Sequence, residues 1–185
     1  MTKLTLKRIN GIIVRENISL QLLNTMGITK NVFSSADSGF LFESQSKKDV
    51  RKELNIPEKQ MVVGVTVRSW FKPEAQMYYE RSMAAFADYL VKKYKAVVLF
   101  IPQVTNESHK DDDRESSIRV FEYMKYKNGA RVMTERYDHQ TIKAVYGSSD
   151  YLVGTRFHSV VFALTAHVPS IAIGYEHKTR GIMID

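Results

Sequence analysis

From Met61 onward, short runs of consecutive apolar residues alternate with longer stretches whose apolar residues recur every three to four positions. The runs Met61–Val67, Ala96–Ile101, Ala130–Met133, Tyr151–Val153 and Ser170–Ile173 predict buried strands, the first of them rich in β-branched residues. Between the first two, Met83, Phe86, Ala87, Leu90, Val91 and Tyr94 keep the spacing of one apolar helical stripe. Ser116–Lys125 predicts a second helix with Ile118, Phe121 and Met124 or Lys125 near its inner side. Asp138 caps a third, which carries Ile142, Val145 and Tyr146 and ends at Gly147. A fourth, Val160–Ala166, is apolar on nearly every side and stops before Pro169.

Strands alternating with helices in this way predict an α/β fold: a Rossmann-like parallel sheet with helices on both faces. Ligands bind such sheets at the carboxyl ends of the strands. The residues expected at that edge are Arg68, Gln103, Arg156 and the Gly174–Lys178 loop.

The chain before Met61 is less regular. Gly11–Val14 reads as a short strand ending at Arg15, followed by a helix capped by Asn17 or Ser19, striped by Ile18, Leu22, Leu23 and Met26, and stopped at Gly27. Residues 31–42 read as a strand end and a turn. Glu43–Gln60 is polar, with a short helix at Lys47–Leu54 and a stop at Pro57. The expected organisation is a tail of an N-terminal Rossmann-like subdomain (1–45), a linker (46–60) and a C-terminal Rossmann-like donor-binding domain (61–185). A start one strand short of a full subdomain, and an end at Gly181–Asp185 without a helix cap, predict a piece of a longer enzyme.

Composition narrows the function classes. The chain has 185 residues, 44% of them hydrophobic, which suffices for a real core. It has no cysteine, hence no disulfide framework and no thiolate metal site. No apolar run reaches the roughly 18 residues of a membrane span, and the N-terminus has no signal pattern, so a cytoplasmic location is expected. The net charge of +7 favours anionic partners, and it is spread along the chain without a basic block. Phosphorylated small molecules or phospholipid-linked substrates therefore rank above nucleic acid, which is not expected as a partner. Peripheral association with the inner face of a membrane is compatible with this charge.

The chemistry concentrates in Ser149–Lys178. Gly154 breaks a strand, Arg156 and His158 follow at once, and an apolar helix begins, pointing free N–H groups and its positive dipole end at the same crevice. His109 with Asp111, Asp112 and Asp113 reads as a charged, solvated loop rather than a metal site.

This stretch resembles the signature of the polysaccharide pyruvyl transferase family: Gly154-x-Arg156-x-His158, an apolar helix, Val168-Pro169, a strand, then Tyr175-x-x-Lys178-x-x-Gly181. Val14-Arg15-Glu16-x-x-Ser19 resembles the family's Val-Arg-Asp-x-x-Ser turn, with Glu16 in place of Asp. Asp37–Phe42 resembles its Asp-Pro-x-Phe segment, with Ser38 in place of proline, and Pro102-Gln103 followed by Asp112-Asp113 resembles its Pro-Gln…Asp-Asp loop. His167 stands where the family often has glycine.

The resemblance implies the C-terminal half of a GT-B fold and transfer of a pyruvyl group from phosphoenolpyruvate onto two sugar hydroxyls, leaving a ketal. This chemistry belongs to exopolysaccharide or cell-surface polysaccharide synthesis. It implies His158 as the catalytic acid or base and Arg15, Arg156 and Lys178 as donor-binding cations; the sheet-edge position adds Arg68 and Gln103. No cofactor or metal is implied beyond the donor substrate, and the acceptor is a sugar or a lipid-linked oligosaccharide.

Other roles compete at single residues. Arg156 suits pairing with a helix or an acidic loop, His158 a helix cap, and Arg15 an interdomain salt bridge. Two wider alternatives stand beside the transferase: a GT-B glycosyltransferase or nucleotide-sugar epimerase holding a nucleotide diphosphate, with Glu176 the nearby residue for a ribose, and an inactive fragment or binding module.

Overall fold

The computed structural model describes residues 2–106, 111–175 and 177–184, apart from the side chains of Thr2, His177 and Lys178. Its elements in chain order are α1 (Thr2–Leu6), β1 (Ile12–Val14), α2 (Asn17–Thr25), β2 (Val32–Ser34), α3 (Val50–Glu53), β3 (Val62–Thr66), α4 (Pro73–Tyr94), β4 (Val97–Phe100), α5 (Asp113–Tyr123), β5 (Ala130–Val132), α6 (His139–Gly147), β6 (Tyr151–Gly154), α7 (Phe157–Thr165), β7 (Ser170–Ala172) and α8 (His177–Ile184). They form two compact units, one of residues 43–173 and the other of residues 1–42 with 174–185.

The larger unit is built on five parallel strands in the order β5-β4-β3-β6-β7. Strand side chains alternate between two cores, as a period of two demands. Val62, Leu99, Ile101 and Leu152 face one way and pack with Ile142, Val145 and Tyr146 of α6 and Ala163 of α7. Val63, Val65, Val98, Phe100 and Val153 face the other way and pack with Met83, Ala84 and Ala87 of α4 and Val120 of α5. The sheet is Rossmann-like with helices on both faces, as the alternation of patterns predicts. Successive strands run outward from β3 to β5, then the chain returns to place β6 on the other side of β3. The switch point of the sheet therefore lies between the carboxyl ends of β3 and β6.

Residues 46–60, expected as a linker, are fastened to this unit. Val50 and Ile56 lie in its core, and the Arg51 guanidinium donates to the carbonyls of Ser148 and Gln60 at 3.0 and 2.6 Å. A lone Val and a lone Ile in a polar stretch give no periodic signal of such packing.

Two helices differ from their expected form. α4 begins at Pro73, ten residues before its apolar stripe, with the proline at a first-turn position where its missing N–H is harmless. α5 buries Asp113, Ser116, Ser117 and Val120, while Ile118 is exposed. Its inner face is polar because it packs against the loops of the site described below.

The smaller unit pairs β1 and β2 in parallel, with Val14, Leu23 and Ile28 as its core. Glu16, rather than Asn17 or Ser19, is the N-cap of α2, its carboxylate accepting from the Ser19 N–H at 2.9 Å. Gly27, at φ 69°, ends that helix, with the Ile28 N–H bonded to the Leu23 carbonyl. α8 packs against α2 so closely that a Cβ at Gly181 would strike the Glu16 carboxylate.

Candidate functional site

The turn between β6 and α7 is fixed by the last residue of β3. The Thr66 hydroxyl oxygen accepts from the N–H groups of Thr155 (2.8 Å) and Arg156 (3.2 Å), and lies 3.2 Å from the Ser159 hydroxyl. The Thr155 hydroxyl donates to the Thr66 carbonyl at 2.8 Å, so its oxygen accepts from the Tyr79 hydroxyl, also 2.8 Å away. Burial pushes the Tyr79 phenol up to about 12, which keeps its donating proton in place. Gly154 is required by close approach: a Cβ there would come within 2.7 Å of both Ser159 Oγ and Val160 Cγ2. Arg156 is thereby held as the N-cap residue of α7.

Arg156 is 8% exposed, and its side chain meets two carboxylates. Its Nε donates to the two oxygens of Asp113 at 3.1 and 3.0 Å. Its Nη2 also reaches Asp111 Oδ1 at 2.6 Å. Asp113 is fully buried and accepts two further bonds, from the N–H groups of Gln103 and Val104 at 3.1 and 3.0 Å. Burial pushes the Asp113 carboxyl above the ordinary aspartate value, while Arg156 and the two N–H groups pull the other way. Burial also opposes the charge on Arg156, but the hydrogen bonds and charges of Asp113 and Asp111 outweigh it and hold the guanidinium above its ordinary value.

Arg68, two residues after β3, reaches the same place from the other side of the switch point. Its Nη2 donates to Asp111 Oδ2 at 3.1 Å, and its guanidinium lies over the Trp70 ring, 4.5 Å from the centroid. The loop that carries it is pinned by Gln76, whose Oε1 accepts from the N–H groups of Trp70 (3.0 Å) and Phe71 (3.1 Å) and whose Nε2 donates to the Arg68 carbonyl (3.0 Å). Gln76 also donates to the buried Glu80, which pairs with Arg119 at 2.8 Å. Two arginines thus converge on one half-exposed carboxylate at the carboxyl edge of the sheet, beside the N-terminus of α7.

A sequence profile described as Polysaccharide pyruvyl transferase matches residues 1–177. The chain belongs to the polysaccharide pyruvyl transferase family. Over 186 aligned residues it is 25% identical to the amylovoran biosynthesis protein AmsJ of Erwinia amylovora, covering 95% of this chain and 45% of the relative. The chain thus spans about half the length of that curated relative. Its fold is similar to the crystal structure of Methanocaldococcus jannaschii UDP-GlcNAc 2-epimerase in complex with UDP-GlcNAc and UDP, with a TM-score of 0.64 at 12% identity over 91% of this chain and 46% of that one. At that identity the likeness shows the α/β, GT-B-like fold alone.

Within this pyruvyl transferase fold, the residues expected from sequence fall into two groups. Arg68, Gln103 and Arg156 share one network around Asp111 and Asp113. Gln103 enters it through its backbone N–H, while its side-chain carbonyl accepts from the buried Tyr146 hydroxyl at 3.2 Å. His158 lies in the first turn of α7, two residues beyond Arg156, its ring edge-on to Phe157 at 4.9 Å and 6.1 Å from Phe162. Arg15 belongs to the smaller unit, where it is paired with the buried Asp37, the residue that also caps the 3₁₀ turn Ser38–Leu41. The backbone of Lys178 lies in α8; its side chain, like Glu176 and His109, lies outside the described residues.

Sequence reasoning missed the two aspartates. Asp111–Asp113, expected as a solvated loop, instead supplies the buried Asp113 and the Asp112 cap of α5. The family-like Pro102-Gln103…Asp112-Asp113 spacing was the available signal. Among the described residues no helix is long and apolar enough to cross a membrane.

Proposed function

We propose that this chain carries the donor-binding half of a transferase that moves a pyruvyl group from phosphoenolpyruvate onto two hydroxyls of a sugar in exopolysaccharide biosynthesis. The observation that carries the reading is the convergence of Arg68 and Arg156 on a single carboxylate at the switch point of the sheet. Two guanidiniums in that arrangement are suited to a planar carboxylate or a phosphate, and phosphoenolpyruvate carries both. Family membership and the likeness to an amylovoran biosynthesis protein support the substrate class.

The reaction needs a proton at the vinyl carbon and a nucleophile at C2. As the CH₂ group is protonated to CH₃, positive charge develops at C2 and the first sugar hydroxyl adds there, losing its proton. The C2–O bond to phosphate then breaks, inorganic phosphate leaves with the bonding pair, and the second hydroxyl closes the ketal. Of the two protons released by the hydroxyls, one balances the proton gained by the methyl group and one leaves with phosphate. In this scheme His158 delivers the proton, Arg156 and Arg68 hold the donor anion, and the N-terminus of α7 adds its dipole.

Calorimetric titration with phosphoenolpyruvate tests the assignment of roles. Arg156→Lys loses the planar fork and is expected to weaken binding by about tenfold. His158→Ala is expected to bind phosphoenolpyruvate within about twofold of wild type, because a proton donor contributes to turnover rather than to ground-state affinity. Unchanged affinity in Arg156→Lys would refute the reading.

A further inference from the structure

The two carboxylates that meet Arg156 differ in one respect that bears on ligand binding. Asp113 has no exposed surface, and it is anchored by two backbone N–H groups. The Asp111 side chain is 43% exposed and bridges two cations, Oδ1 to Arg156 at 2.6 Å and Oδ2 to Arg68 at 3.1 Å. Its neighbour Asp112 is tied down, accepting from the Arg114 N–H at 2.9 Å at the start of α5. Asp111 can therefore swing out by rotating its own side chain while α5 stays in place.

We propose that Asp111 is a built-in occupant of the donor's anion site: its carboxylate holds the place that a substrate carboxylate takes, and substrate binds by displacing it. This rests on the reading that Arg68 and Arg156 bind the donor. Three features support it. The bridging geometry is that of a bound carboxylate between two guanidiniums. The four charges of Arg68, Arg156, Asp111 and Asp113 cancel, so an incoming carboxylate that expels Asp111 leaves the buried pair as well neutralised as before, while a neutral ligand would not. The burial difference makes Asp111 exchangeable and Asp113 permanent. Asp111 then sets specificity: only ligands with a stronger claim on both arginines enter, and weak anions are kept out.

The two aspartates should consequently act in opposite directions on binding. Removing the Asp111 charge takes away a competitor, and Asp111→Asn is expected to tighten phosphoenolpyruvate binding roughly three- to tenfold, the range of a partly exposed ion pair. Asp111→Ser, which cannot reach both arginines, should do the same. Removing the Asp113 charge takes away the group that orients Arg156, and Asp113→Asn should weaken binding. Isothermal titration of phosphoenolpyruvate into wild type and the three variants, each first checked for a cooperative melt, decides the matter. If wild type binds and Arg156→Lys weakens it, but Asp111→Asn and Asp111→Ser bind no more tightly than wild type, the displacement idea is overturned while the donor-site reading stands. If phosphoenolpyruvate binds neither wild type nor the Asp111 variants, both are overturned.

Discussion

Arg156 and Asp113 form a buried ion pair across the carboxyl edge of the sheet, with Nε 3.1 and 3.0 Å from the two carboxylate oxygens. The pair joins the β6–α7 turn to the first residue of α5, so the contact orients the candidate donor-binding cation. Removing Asp113 leaves the buried Arg156 with only the half-exposed Asp111 as its counter-charge, a loss near the lower end of about 3–5 kcal/mol. Asp113→Ala should show this in urea unfolding. The double variant Arg156→Met/Asp113→Leu should recover most of the loss yet bind no phosphoenolpyruvate, which separates the pair's structural part from its functional one.

Gly154 stands under Ser159 and Val160 with no room for a side chain. Gly154→Ala is expected to lower stability by about 1–3 kcal/mol through overpacking, read as a lower melting temperature. It should also weaken donor binding, because the turn that presents Arg156 must shift.

His167 offers a gain. It follows the end of α7 at φ 58°, with its N–H bonded to the Leu164 carbonyl and the Val168 N–H to the Ala163 carbonyl. Gly27 occupies the equivalent position after α2. His167→Gly removes the left-handed strain and should raise stability by about 1 kcal/mol, less the added freedom of the unfolded chain. Chemical denaturation midpoints of the two proteins measure it.

Asp112 predicts an acid limb. Hydrogen bonds from the Arg114 side chain hold its carboxyl below the ordinary aspartate value of 3.8, against the opposing effect of burial. Between the two values the folded protein binds fewer protons than the unfolded chain, so stability falls as pH falls. The contribution of Asp112 is complete above the ordinary value and is lost as pH drops through the depressed one. Asp112→Asn keeps a capping oxygen without the titration, and its melting temperature should fall less than that of wild type between about pH 5 and about pH 2. Equal slopes would contradict the assignment.

The central strands were legible because each is buried on both faces, so Val62–Thr66 and Val97–Phe100 appear as nearly unbroken apolar runs, whereas the edge strand β7, expected to be buried, leaves Ile171 exposed. The local part of the site was legible for a similar reason: Gly154, Arg156 and His158 sit within five residues at a strand-to-helix turn. Their partners were not. Asp113 meets Arg156 across 43 residues of sequence, and Ser116 meets Ser69 across 47. Buried polar residues whose partners lie so far away look like solvent-facing ones to any local pattern. The inner face of α5 was misjudged on that account. The start of α4 was missed for the same reason, since Gln76 and Glu80 face the Arg68 loop and Arg119 rather than water.

In the proposed function the arginine pair at the sheet switch point takes the anion of phosphoenolpyruvate, not a nucleotide diphosphate as the fold alone would also allow. Thermal melting of the wild-type chain with saturating phosphoenolpyruvate or UDP-GlcNAc tests it most directly. A ligand at about 100 times its dissociation constant stabilises by about 2.7 kcal/mol, and a chain of this size gains about 2–4 °C per kcal/mol. A rise of that order with phosphoenolpyruvate and none with UDP-GlcNAc is the result expected here. A rise with UDP-GlcNAc alone, or with neither, would contradict it.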